Sequence, residues 1–141
     1  MSKISIVFDR LRTEEKMLQK EATELGHETS LIDAKTTQIN TSSQIQDFDF
    51  GDVILERCVS YYRGLYFTAC LEFLDIPVIN EFNVSNICGN KMLTSMMLKK
   101  NNIPTPKTYF SFSANAAREN LDIVGYPMVI KPVSYTHLTL P

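Results

Sequence analysis

The chain has 141 residues, 44% apolar and 21% charged, with a formal net charge of -2. That length holds one ordinary domain, or one domain and part of another, with the composition of a globular protein. Near-neutral charge excludes the basic footprint that nucleic acid or an anionic membrane requires, and no apolar run approaches the roughly 20 residues of a membrane span.

The opening "MSKISIVFD" runs straight into an aspartate and shows no signal peptide, so the cytosol is the default compartment. The segment "KISIVFD" is an apolar, β-branched run that predicts a buried strand. In "TEEKMLQKEATELG", Met17, Leu18, Ala22 and Leu25 share one helical face, with Thr13 as N-cap and Gly26 as the stop. "ETSLIDA" predicts a second strand, and "KTTQINTSSQIQDFDFGD" a loop or short edge structure. "VILERC", "SYYRGLYFTACLEFL" and "IPVIN" predict strand, helix and strand. Short continuous apolar strands alternating with helices argue for an α/β fold, a small doubly wound and mainly parallel sheet.

From Val84 the pattern changes. "NVSNICGNKMLTSMMLKKNNIP" predicts helix broken near Gly89 and ended by Asn101 and Asn102. "KTYFSF" and "YPMVIKPV" predict two strands flanking the helix "SANAARENLDIVG", which Ser113 caps and Gly125 stops. The organisation is one compact domain over 1–82, a helical connector over 83–103, and an opening β-α-β unit over 104–133. Cys58, Cys70 and Cys88 form no CxxC pair and lie far from His27 and His137. Three reduced, mostly buried thiols are expected rather than zinc ligands.

The turn after the first strand, "FDRLRTEEK", has no glycine, which a dinucleotide fingerprint needs for pyrophosphate to approach the helix. No GxxxxGK occurs either. Arg57 follows the third strand at the edge where open parallel sheets place ligands, and Arg63 lies about one turn into the following helix. Two guanidiniums there could clamp a carboxylate or phosphate, or simply pair with Glu56 or Glu72. Lys91 stands near a Gly-Asn break at a helix start, where a lysine is usually solvated. Lys131 follows four apolar residues and precedes Pro132. A strand lysine so placed either meets an anion, because desolvating an ammonium is costly, or packs its stem and sends its head to water.

"LERCVSYYRGL", "IPVIN", "CGNKMLTSMMLKKNNIPTPKT" and "GYPMVIKPV", in that order and spacing, resemble the N-terminal half of ATP-grasp carboxylate–amine ligases. The chain is most similar to the LysX-type ligases of lysine biosynthesis, with RimK-type ligases as wider relatives. The resemblance covers residues 1–133. It implies a pre-ATP-grasp domain, 1–82, followed by a partial first lobe of the ATP-grasp domain, 104–133. It further implies ATP and Mg2+ as cofactors, with Lys91 and Lys131 as ATP contacts and Arg57 and Arg63 near the substrate edge. The implied reaction forms an amide through an acyl phosphate, joining α-aminoadipate to the C-terminal glutamate of a small acidic carrier protein. A RimK-like ligase adding glutamate to another protein is the alternative within the family, and a homo-oligomer is implied.

The family's Lys-Pro pair is followed by a glycine-rich phosphate loop. Here "SYTHLTLP", residues 134–141, has no glycine and looks foreign to that loop; a disordered tail is expected, with the metal ligands beyond it absent. Such a fragment is expected to be inactive alone. A stand-alone, non-catalytic α/β binding module is the alternative from another class. Asp9 and Asp33 lie at strand ends, as a receiver domain would want, but the third strand ends in Glu56-Arg57 instead of an aspartate.

Overall fold

The computed structural model describes residues 1–40, 42 and 49–132. The expected tail over 134–141, the end of the second expected late strand at Val133, and most of the polar stretch at 41–48 lie outside these residues. The elements are β1 (Lys3–Phe8), α1 (Thr13–Glu24), β2 (Glu28–Asp33), β3 (Val53–Glu56), α2 (Tyr61–Phe73), β4 (Val78–Ile79), α3 (Phe82–Gly89), α4 (Lys91–Lys100) and α5 (Ala114–Val124). The chain divides into two compact units, the first Met1–Asn86 and the second from Ile87 onward.

In the first unit all four strands are parallel, in the order β2-β1-β3-β4. β1 is central because its sequence suits burial on both faces. Val7 packs with Ile54, Phe67 and Leu71 on one side, while its neighbour Ile6, directed to the other side, is also fully buried. α1 packs on β1 and β2, and α2 on β4, each helix connecting two parallel strands of the sheet. Ser5 and Ser30 stand opposite each other in the register, and their hydroxyls share a 2.6 Å hydrogen bond. These two hydroxyls between the strands thereby satisfy each other.

α1 departs from its predicted orientation. Met17 is 58% exposed and Leu25 77%, whereas the wholly buried residue of the helix is Glu15, with Gln19 and Ala22 half-buried beside it. The cap also shifts by one residue, from Thr13 to Arg12. Arg12 offers no capping acceptor; instead Glu15, at the third helical position, reaches back and accepts the Arg12 backbone N–H at 2.9 Å. Gly26 follows in the left-handed region, φ +84°, as the helix stop predicts.

Gly51, which leads into β3, is the position where a side chain fits worst. Its φ is +79°, and an added Cβ would lie 2.7 Å from the Lys3 carbonyl oxygen, a backbone atom in the central strand. Gly51→Ala is therefore expected to destabilise the first unit by about 2–3 kcal/mol, combining left-handed strain with a contact that cannot relax cheaply. Urea denaturation checks this; a change below about 0.5 kcal/mol would be the size of an ordinary surface substitution instead.

In the second unit the break at Gly89 separates α3 from α4 as predicted. Asn90 caps α4, its side-chain oxygen accepting the Met92 and Leu93 N–H groups at 3.0 and 3.1 Å. Ser113 caps α5 through the Ala116 N–H, and Gly125, φ +76°, ends it. The predicted strands "KTYFSF" and "YPMVIKPV" are not found: residues 107–112 and 126–132 carry no strand among the described residues. A strand is made by its ladder, and neither segment has one there. Val129 and Ile130 consequently stay about four-fifths open, at 79% and 82%.

Candidate functional site

From β1 the chain moves outward to β2 in one direction, and from β3 to β4 in the other. The reversal falls between β1 and β3, and in such sheets ligands bind beyond the carboxyl ends of the strands at that point. Asp9 follows β1 there. Arg57 follows β3, its N–H prolonging the ladder to the Val7 carbonyl at 2.8 Å.

Asp9 is buried and works as a hub. One carboxylate oxygen accepts the Val59 N–H at 2.8 Å, and the other accepts the Ser60 N–H at 3.1 Å together with the Arg63 guanidinium. Burial alone would push its carboxyl up. The two N–H groups and Arg63 outweigh burial and hold it below the usual aspartate range. Asp9 thus fastens the β3–α2 turn to the end of β1.

Glu15 is the second hub. It binds the Arg12 guanidinium at 2.6 and 3.1 Å through its two oxygens, and Arg57 Nε lies 3.5 Å from the first of them. The Arg12 contact dominates over burial and lowers the Glu15 carboxyl to about 2. Glu56 points elsewhere, accepting the Cys58 N–H at 2.6 Å. Its carboxylate lies where a Cβ on Gly64 would come within 2.5 Å of it, so glycine at the α2 first turn is what leaves room for it. Burial, reinforced by this carboxylate, pushes the Cys58 thiol far up, keeping it protonated. Against the expectation of mostly buried thiols, Cys70 and Cys88 are exposed; all three are free.

Arg57 and Arg63 therefore do share one edge, but their acidic partners are Glu15 and Asp9, not Glu56 or Glu72. Glu72 instead accepts the Phe82 N–H. Sequence reasoning placed Asp9 at a strand end without assigning it a partner, and it missed Arg12 and Glu15. The available signal was the spacing of opposite charges three residues apart, Arg12 and Glu15, at a helix start. Lys91 is the first residue of α4 and is half-buried. Lys131 is exposed and lies outside any strand, so the reading of a desolvated strand lysine does not hold for it. Among the described residues no group of three or more acidic, histidine or cysteine side chains is arranged to hold a metal ion. No helix among them is long and apolar enough to cross a membrane.

A small parallel sheet with helices against it and a strand order that reverses between β1 and β3 defines a small doubly wound α/β domain. The chain belongs to the LysX preATP-grasp domain family, whose model matches residues 4–87. It is similar to the alpha-aminoadipate–LysW ligase LysX of Saccharolobus solfataricus, 38% identical over 122 residues, covering 86% of this chain and 44% of that protein. It is also similar to the glutamate–LysW ligase ArgX of Sulfurisphaera tokodaii, 32% identical over 130 residues, covering 92% and 45%. The chain thus spans less than half the length of these curated relatives. A RimK domain ATP-grasp protein from Sphaerobacter thermophilus shares the fold, with a TM-score of 0.80 at 24% identity over 96% of this chain and 50% of that one.

Proposed function

We propose that these residues form the N-terminal part of an ATP-dependent ligase that makes an amide bond through an acyl phosphate. The amine is that of α-aminoadipate, and the activated carboxylate is the C-terminal glutamate of a small acidic carrier protein. The observation that carries this is the match of residues 4–87 to the LysX preATP-grasp model, together with 38% identity to a ligase named for α-aminoadipate and LysW. Similarity to ArgX keeps glutamate as the alternative amino acid, and a RimK-like action on another protein is the second reading. The reaction is one of positioning and charge neutralisation, which asks for arginine and lysine rather than a protein nucleophile. Cys58, the cysteine near the sheet edge, lacks the environment of a nucleophile, because burial leaves it protonated.

In this proposal Lys91 and Lys131 contact the ATP phosphates. An exposed ammonium at Lys131 and a half-buried lysine at the start of α4 suit a polyanion in charge. The described residues do not suit Mg2+, for want of a carboxylate cluster, and no role in this stretch is assigned to the metal. The full-length enzyme is proposed to be a cytosolic homo-oligomer.

The 141 residues alone are expected to turn over no ATP. Purified chain, given ATP, α-aminoadipate and a LysW-type carrier, should form no ADP above background. ADP released in proportion to added carrier would refute the fragment reading. In a ligase containing this stretch, Lys131→Met should raise the KM for ATP by about tenfold or more, the worth of one charge-assisted phosphate contact. An unchanged KM would remove Lys131 from the nucleotide site.

A further inference from the structure

Two arginines reach the switch-point edge, and the geometry points to different tasks for them. We infer that Arg57 is the arginine that binds a carboxylate of the amino-acid substrate, while Arg63 is a clamp already engaged by the fold. This rests on the proposed function, and it takes the β1–β3 edge as the place where the anionic amino acid of that reaction is held.

The Arg63 guanidinium is drawn onto Asp9, whose carboxylate also takes two backbone N–H groups of the β3–α2 turn. That contact uses one guanidinium nitrogen and anchors the start of α2, although the Arg63 side chain is itself 43% exposed. What separates the two arginines is that Arg63 has a hydrogen-bonded acid and Arg57 does not. Arg57 is held differently. Its nearest acid, Glu15, lies 3.5 Å from Nε without forming a hydrogen bond, and the short contacts of that carboxylate, at 2.6, 3.1 and 2.9 Å, all go to Arg12. Nε of Arg57 is buried with no hydrogen-bond partner among the described residues, yet the side chain as a whole is 41% exposed. The covered Nε fixes the root of the guanidinium, and the terminal nitrogens remain as donors for a ligand. Glu56, next in sequence, is turned away to the Cys58 N–H and Gly64.

A guanidinium fixed at its root and open at its fork matches a carboxylate in two-point geometry. An amino acid that reacts through its amine keeps its carboxylates free for such a contact. Glu15 then acts as a positioning residue: its charge is matched by Arg12, so it steadies Arg57 without cancelling it.

The test uses the full chain and glutarate, a five-carbon dicarboxylate, as probe, read by the side-chain Nε–H resonances of the arginines. Saturable movement of the Arg57 resonance is expected, with Arg63 nearly still. Arg57→Lys keeps the charge but loses the fork, and should weaken glutarate by about tenfold without lowering thermal stability. If Arg63 moves and Arg57 does not, or if Arg57→Lys binds glutarate as wild type does, the inference is wrong while the edge remains an amino-acid site. If neither resonance moves saturably, the edge is not such a site and both ideas fall. Should Arg57→Lys fail to fold, the wild-type shift pattern decides by itself.

Discussion

Asp9→Ala is expected to bring the first unit to the edge of unfolding. The carboxylate accepts three donors at once, from Val59, Ser60 and Arg63. Its removal leaves two backbone N–H groups and one guanidinium without their acceptor next to the core. Breaking a buried, hydrogen-bonded ion pair from one side costs about 3–5 kcal/mol, against total stabilities of about 5–15 kcal/mol for domains of this kind. Arg63→Ala should cost clearly less, because Asp9 keeps both N–H donors of the turn and Arg63 is itself 43% exposed. Urea denaturation followed by circular dichroism ranks the two variants. A loss below about 1 kcal/mol for Asp9→Ala, the size of an average substitution, would show that the hub is not what fastens the turn.

The second large effect is acid lability centred on Glu15. Its carboxyl sits at about 2 in the folded chain against an ordinary value of 4.5. A folded value below the unfolded one means that the stabilisation is complete above pH 4.5 and is lost as pH falls from there toward 2. A displacement of that size corresponds to on the order of 3 kcal/mol for this fully buried group. Asp9 is displaced in the same direction and adds to the fall. Thermal midpoints measured between pH 7 and 2 should drop steeply through that window in wild type. Glu15→Gln should start lower at pH 7 and fall less on acidification. Parallel curves for the two proteins would mean that Glu15 contributes nothing to the acid transition.

Most of the first unit was legible because its signals are local. β1, β3 and β4 are short apolar runs between polar turns, and Gly26 marks a helix end by backbone chemistry alone, as Ser113 and Gly125 do in the second unit. What failed was non-local. The segments at 107–112 and 126–132 have strand composition, but composition supplies no partner, and pairing is what makes a strand. α1 misled for a related reason. Met17, Leu18 and Leu25 promised an apolar inner face, yet the position turned inward is Glu15, because two arginines from separate elements converge on it. Charge hubs of this kind are assembled by topology. Asp9 and Arg63 are 54 residues apart in sequence, and nothing local in either one announces the other.

The central position of β1 has a consequence during synthesis. β1 leaves the ribosome before either of the strands it needs on its two sides, and its second neighbour, Val53–Glu56, emerges last of the three. At about 5–20 residues per second, the nascent chain carries Ile4, Ile6 and Val7 unshielded for several seconds. That interval is when a holdase or trigger-type chaperone would have most to gain from this protein.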